Sequence, residues 1–129
     1  MADHELLVLS RPPAGVSDDA YNDWYDTHVR EILALPGFVA AERMALEFIS
    51  ATTDPIEHYT FLTRYEITGS FDDAWGELRA AVDGGRMTLA DWFGGVESQG
   101  WCCTPIRPRV GAVPVEPVAA ERATPAGRA

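Results

Sequence analysis

Lysine is absent from this chain, and all ten of its basic residues are arginine. Schiff-base chemistry and covalent attachment of a pyridoxal cofactor both need a lysine amine, so both are excluded. The 20 acidic residues outnumber the arginines and give a formal net charge of −10. Nucleic acids and anionic membranes select basic surfaces, so this charge argues against either of them as a partner.

Cysteine is almost as scarce. The only two, Cys102 and Cys103, are adjacent, and neighbours on a strand point to opposite faces, which places them poorly for a mutual disulfide. The sequence has no apolar run approaching the roughly 18 residues of a membrane span, and no secretory signal opens it. We therefore expect a reduced, cytoplasmic protein that does not bind membranes.

The spacings that usually indicate a cofactor are also missing. The three histidines, His4, His28 and His58, fall on different predicted elements, and neither H-x-x-x-H nor C-x-x-C occurs. We therefore expect no metal site. Gly84-Gly85 and Gly94-Gly95 lack the strand-to-helix context of a phosphate-binding loop. The sequence thus predicts a protein without a cofactor.

What the chain does contain is a regular alternation of strand and helix patterns. The predicted elements are a strand at Glu5–Leu9, a helix from Ser17 to about Leu35, strands at Phe38–Phe48 and His58–Ile67, a helix from Ser70 to Val82, a short helix at Met87–Phe93 and a strand at Val96–Thr104. This β-α-β-β-α-β order is typical of a ferredoxin-like α+β sandwich. We expect one such domain over residues 1–104, followed by an irregular, Pro/Ala-rich tail over residues 105–129.

Such a sandwich has two helices on one face of its sheet, and the other face also needs cover. Tyr59, Phe61, Tyr65 and Ile67 give the third strand an apolar side, which we assign to that uncovered face. A second copy of the sheet is the simplest cover. The sequence therefore predicts a homodimer.

One helical position carries an unusual residue. At 100° per residue, His28 lies at the centre of the apolar arc of the first helix, beside Trp24 and Tyr25, with Glu31 at the edge of the arc. Burial lowers the pKa of an imidazole and a nearby carboxylate raises it, so we expect His28 to titrate near neutrality. It is either a core histidine hydrogen-bonded to a carbonyl or a tyrosine, or a general acid/base in a pocket.

The residues around His28 resemble a known family. The segment Trp24-Tyr25-Asp26-Thr27-His28-Val29, followed by Leu35-Pro36-Gly37-Phe38 and then by Ala41 and Arg43, is similar to the EthD-like branch of the dimeric α+β barrel superfamily. The similarity of fold covers about residues 4–104, and the specific motif covers residues 24–43. Polyketide cyclases, muconolactone isomerases, aldol-type cyclases and small cofactor-free monooxygenases are built on similar barrels. The resemblance implies a substrate cavity between the sheet and the helices of one protomer.

The resemblance also implies roles for particular residues. By it, His28 is the general acid/base. Glu31, the carboxylate nearest to His28 on the helix, is assigned to the substrate-binding residues. The cavity is lined by aromatic side chains, namely Trp24, Tyr25, Tyr65 and Trp92. Arg43 and Arg64, on neighbouring strands, orient a carboxylate or enolate, although strand parity equally allows both on the outer, dimer-facing side.

The sequence therefore predicts a cofactor-free enzyme of the cyclase, isomerase or lyase type. In it, His28 moves a proton on a small, largely apolar or aromatic substrate that carries a carbonyl group. Two alternatives are a non-catalytic ligand-binding or accessory dimer, and a cofactor-independent or haem-dependent monooxygenase on the same fold.

Overall fold

The observed order of elements confirms the predicted β-α-β-β-α-β pattern. A computed structural model describes residues 2–54 and 58–114. Its elements are β1 (His4–Arg11), α1 (Asp18–Leu33), β2 (Phe38–Ala45), β3 (Phe61–Ile67), α2 (Phe71–Asp83), a short 3₁₀ turn at Phe93–Gly95, and β4 (Glu97–Cys103). The strands form one antiparallel sheet in the order β2-β3-β1-β4. Together with the two helices, this topology is compatible with a ferredoxin-like α+β fold.

Both helices begin at a serine cap. The Ser17 hydroxyl accepts the backbone N–H of Ala20 at 3.1 Å, and the Ser70 hydroxyl accepts that of Asp73 at the same distance. These bonds satisfy amide groups that have no partner inside the helix. Helix α1 ends just before Pro36, and Gly37 then adopts a φ of +93°, a conformation that L side chains rarely reach.

The two faces of the sheet differ in character. The inner face, which packs against both helices, carries Phe61, Tyr65 and Ile67 of β3. The outer face carries the alternate residues of that strand, including Leu62 and Arg64. The assignment of Phe61, Tyr65 and Ile67 to the uncovered face is therefore wrong, because these large side chains fill the core beneath the helices.

The predicted helix at Met87–Phe93 is also wrong, since only the 3₁₀ turn at its end forms. The backbone of Thr88 is bonded instead to side chains of α1: its N–H donates to Glu31 and its carbonyl accepts from Trp24. Met87 is buried in the core. Tertiary contacts thus hold this segment in an irregular path along α1.

Strands β2 and β3 are somewhat shorter than predicted, since β2 ends at Ala45 and β3 begins at Phe61, whereas β1 is longer. Of the predicted C-terminal tail, residues 105–114 form neither helix nor strand, and residues 115–129 lie outside the described residues. In the described part of the chain, no helix is long and apolar enough to cross a membrane.

Candidate functional site

A cavity of about 360 Å³ lies between the inner face of the sheet and the two helices. Apolar side chains of β1, of α2 and of the segment that begins with the 3₁₀ turn form much of its wall, namely Leu6, Val8, Leu78, Val82, Phe93 and Val96. The volume is at the lower end of the range found for small-molecule sites. The cavity is therefore large enough for a compact ligand of one or two rings.

His28 lines this cavity and is enclosed by aromatic rings. Its imidazole stacks on the Trp24 indole, with ring centroids 4.4 Å apart and planes inclined by 20°. Tyr25 meets the imidazole edge-on at 5.3 Å, and Phe93 of the 3₁₀ turn lies 6.1 Å away. The helical spacing of Trp24, Tyr25 and His28 thus places all three at the cavity, as the sequence predicts.

The imidazole is nearly dehydrated, and within the described residues one of its two nitrogens has no hydrogen-bond partner. His28 is 7 % exposed, and its Nδ1 atom is buried without a hydrogen bond to any described residue. A core histidine normally has such a bond. The observation therefore favours a pocket role for His28 over a purely structural one.

Burial lowers the pKa of His28 from its ordinary value of 6.5 to about 4. The Glu31 carboxylate opposes this effect and the Arg43 guanidinium adds to it, but both contribute less than burial. The prediction that His28 titrates near neutrality is therefore wrong for the free protein. At neutral pH the imidazole is uncharged and can accept a proton.

Tyrosine hydroxyls supply the other polar groups of the inner wall. Tyr65 is 1 % exposed, and its hydroxyl lies close to Tyr25 but makes no hydrogen bond of acceptable geometry to a described residue. Burial, together with the nearby Tyr25, raises the pKa of Tyr65 well above its usual range. Tyr21 donates its hydroxyl hydrogen to Ser10 at 2.8 Å, and burial raises the pKa of Tyr21 to about 12. All these phenols are therefore neutral hydrogen-bond donors at physiological pH.

Arg43 lies on the inner side of the sheet, but behind the cavity wall. Its Cζ atom is 4.0 Å from the centroid of the Tyr25 ring. Nη1 donates to Asn22 at 2.7 Å and Nε to Thr63 at 3.3 Å, while Nη2 is buried without a hydrogen-bond partner in the described part of the chain. The cation therefore supports the Tyr25 ring and does not line the cavity.

Arg64 lies on the outer face, away from the cavity. Its guanidinium forms ion pairs with Glu5 at 2.7 Å, Glu42 at 3.1 Å and Glu66 at 3.5 Å. The structure thus places the two arginines on opposite faces of the sheet. From the outer face, Arg64 does not reach a ligand in the cavity.

Glu31 and Trp92 hold the segment that leads to the 3₁₀ turn. The Glu31 carboxylate accepts the N–H of Thr88 at 2.9 Å and its hydroxyl at 2.8 Å. Trp92 packs edge-on against Trp24 at 5.3 Å. Neither residue lines the cavity. They brace its wall, whereas the sequence placed them at the substrate.

Several residues that line the cavity were not among the predicted site residues, including Tyr21, Phe93 and Arg79. A signal for Arg79 exists, because it follows Trp75 by one helical turn and therefore shares its face of α2. Phe93 gave no such signal, since its segment was assigned to a helix. Among the residues that the structure describes, no group of three or more His, Cys, Asp or Glu side chains is arranged to hold a metal ion.

Comparison with known proteins supports the fold and nothing finer. No family model and no curated protein sequence matches the chain. Among solved structures, the chain is similar to the crystal structure of At3g17210 from Arabidopsis thaliana, with a TM-score of 0.62 and 12 % sequence identity over 83 % of this chain and 99 % of that one. At such identity the likeness concerns the fold alone, and it agrees with a small ferredoxin-like α+β domain.

Proposed function

We propose that this protein is a cofactor-free enzyme of the cyclase, isomerase or lyase type, with His28 as the residue that moves the proton. The proposed substrate is a small, largely apolar or aromatic compound that carries a carbonyl group. One observation carries the proposal: a buried imidazole lines an aromatic cavity, and one of its ring nitrogens has no partner among the described residues.

The lowered pKa defines the order of proton transfers. Because burial lowers the pKa of His28 to about 4, the neutral imidazole first acts as a base and removes a proton from the carbon next to the carbonyl. The electron pair of the broken C–H bond forms an enolate, and Tyr65, which also lines the cavity, donates a hydrogen bond to its oxygen. The negative enolate stabilises the imidazolium beside it, which raises the pKa of His28 during the reaction.

The imidazolium then returns its proton, and the acceptor atom defines the reaction class. Return to a different carbon is an isomerisation, and return to a departing oxygen is an elimination. In a cyclisation the enolate carbon attacks a second carbonyl of the same substrate, and the proton goes to the alkoxide that forms. Apolar walls around His28 keep water from quenching these intermediates.

Proton exchange in D₂O tests the first step without knowledge of the natural substrate. The protein is incubated with a panel of aryl ketones and 1,3-dicarbonyl compounds, and loss of the α-hydrogen signal is followed by NMR. We expect exchange to fall by about a hundredfold or more in His28→Gln, with ligand binding retained. His58→Gln is the matched control, because His58 is exposed and does not line the cavity. Equal exchange in His28→Gln and the wild type would refute the proposal.

A non-catalytic ligand-binding role is the second candidate. It is favoured by the weakness of His28 as a base, since a pKa of about 4 limits proton abstraction to acidified C–H bonds. In that role the imidazole only hydrogen-bonds a ligand. Tight binding of a panel compound with no exchange above the rate of buffer alone would select this candidate.

We further propose that the protein is a homodimer of the EthD-like type, joined through the outer face of the sheet. Trp101 on this face is 57 % exposed, and Met44 is also exposed. Trp101 lies beside Leu7 in the register of β1 and β4, and Met44 lies beside Leu62 in that of β2 and β3. Exposed apolar clusters of this kind mark association surfaces.

Light scattering coupled to size exclusion tests the dimer. We expect the wild type to elute at twice the mass of one chain and Trp101→Glu to elute as a monomer. Leu89→Glu is the control, since it introduces the same charge at an exposed apolar residue outside the sheet. A monomeric wild type, or a Trp101→Glu variant that stays dimeric, would contradict the proposal.

A further inference from the structure

We propose that the ligand of the cavity carries a carboxylate in addition to its carbonyl group, and that Arg79 on α2 binds this carboxylate. The inference rests on the proposed function, because it assigns the second end of the substrate of that same site. It follows from the distribution of charge and burial along the cavity.

The cavity wall is cationic in an acidic chain. Apart from the neutral His28, Arg79 is the only charged side chain among the described residues that line it, and no Asp or Glu of the described residues does so. Acidic residues nevertheless outnumber arginines by 20 to 10 in the chain as a whole. A wall with a positive charge and no negative one favours an anionic ligand and disfavours a cationic one.

Burial separates the two polar ends of the cavity. His28 and Tyr65 are both buried and form the deep end. The Arg79 side chain is 55 % exposed and the neighbouring Trp75 is 39 % exposed, so they form the mouth. Apolar side chains of α2 and of the sheet form much of the remaining wall. A ligand that satisfies both ends is apolar in the middle, with a carbonyl inside and an anion outside.

The guanidinium of Arg79 is available for such an anion. Its ion pair within the described residues is with Asp83, four residues further along α2, at 3.5 Å, and the side chains of both are more than half exposed. Exposed ion pairs of this kind contribute little to the free energy of folding. An arginine can hold a carboxylate through two parallel hydrogen bonds, and a ligand carboxylate can therefore displace Asp83.

The size of the cavity narrows the class further. A volume of about 360 Å³ suits one or two rings with short substituents. Trp24, Phe93 and Trp75 line the cavity, so aromatic side chains are available to pack against a flat body. The geometry therefore points to an aromatic or alicyclic keto acid.

Matched acid and ester probes test the assignment. 4-Oxo-4-phenylbutanoate carries a ring, a ketone and a carboxylate, and its methyl ester replaces the charged carboxylate by a neutral group that is one methyl larger. Dissociation constants of both are measured by ligand-observed NMR for the wild type, Arg79→Gln and Arg86→Gln. Arg86→Gln is the matched control, because it removes the same charge from an exposed arginine just beyond α2 that does not line the cavity.

We expect the wild type to bind the acid about tenfold more tightly than the ester. Arg79→Gln should bind the two equally, Arg86→Gln should keep the preference, and added salt should reduce it. The inference is overturned if the wild type binds neither probe or shows no preference for the acid. It is also overturned if Arg79→Gln keeps the preference.

The same samples separate this inference from the proposed function. Deuterium exchange next to the ketone reports on His28, whereas the preference for the acid reports on Arg79. If the preference for the acid depends on Arg79 but no deuterium exchange occurs, the anion subsite is supported and the proposed enzymatic role is refuted. If deuterium exchange depends on His28 but the acid is not preferred over the ester, the enzymatic role is supported and the anion subsite is refuted.

Discussion

Acidification should destabilise this protein through His28 itself. Burial lowers the pKa of His28 from 6.5 to about 4 in the folded chain, whereas the unfolded chain takes up the proton at the ordinary value. Stability from this residue is therefore complete above about pH 6.5 and is lost as the pH falls towards 4. Each unit of difference between the two pKa values corresponds to about 1.4 kcal/mol. The free energy of unfolding therefore falls by about 3 kcal/mol by pH 4.

Urea unfolding followed by tryptophan fluorescence measures this loss. The free energy of unfolding is determined between neutral pH and pH 4 for the wild type, His28→Gln and His58→Gln. Carboxylates also titrate in this range, but they are the same in all three proteins. We expect the wild type and His58→Gln to lose about 3 kcal/mol more than His28→Gln does, whatever the stability of each protein at neutral pH.

The three proteins are compared by how much their free energy of unfolding changes with pH. A His28→Gln variant that is less stable at neutral pH can therefore still be compared with the others. If all three proteins lose stability in parallel, the imidazole titrates at the same pH when folded and unfolded, and the argument from burial is refuted. An NMR titration of the His28 ring protons gives the folded-state pKa directly. A value near 6.5 there would refute the same argument independently.

Three further substitutions test the cavity and its support. Phe93→Ala should admit water and raise the pKa of His28 towards 6.5, because burial is the main cause of its lowering; an unchanged NMR titration would contradict this. Tyr65→Phe should slow deuterium exchange about tenfold with little change in the urea midpoint, since the buried hydroxyl makes no hydrogen bond of good geometry to a described residue; a large loss of stability would show that its contact with Tyr25 is a strong hydrogen bond. Gly37→Ala should lower the thermal midpoint more than Gly15→Ala, because both have positive φ but a Cβ at Gly37 meets Ala74 at 3.1 Å and one at Gly15 meets nothing.

The element order and the position of His28 follow from local patterns. Serine caps, the Pro36-Gly37 stop and the 3.6-residue period act within a few residues of the chain, so a sequence reveals them. The same period places Trp24 and Tyr25 beside His28. These parts of the candidate site could be predicted because one helix carries them all.

The faces of the strands could not be predicted in the same way. A period of two separates the two sides of a strand but does not say which side meets the helices. A register shift between Phe38 and Ala40 also changes the parity of β2. Phe38 and Arg43 are an odd number of positions apart, so in a regular strand they would lie on opposite faces. Because of the shift, both lie on the inner face. Arg64 of β3 is the register partner of Glu42 of β2 and lies on the outer face.

The sequence by itself determined which groups are present: an amphipathic helix with a histidine on its apolar arc, a nearby carboxylate, and a basic complement of arginines alone. Only the tertiary structure decided what these groups do to one another. Glu31 is bonded to Thr88, and burial outweighs the charge of Glu31 in the pKa of His28. The reason is physical, because dehydration and charge pairing depend on distances between elements that no local pattern encodes.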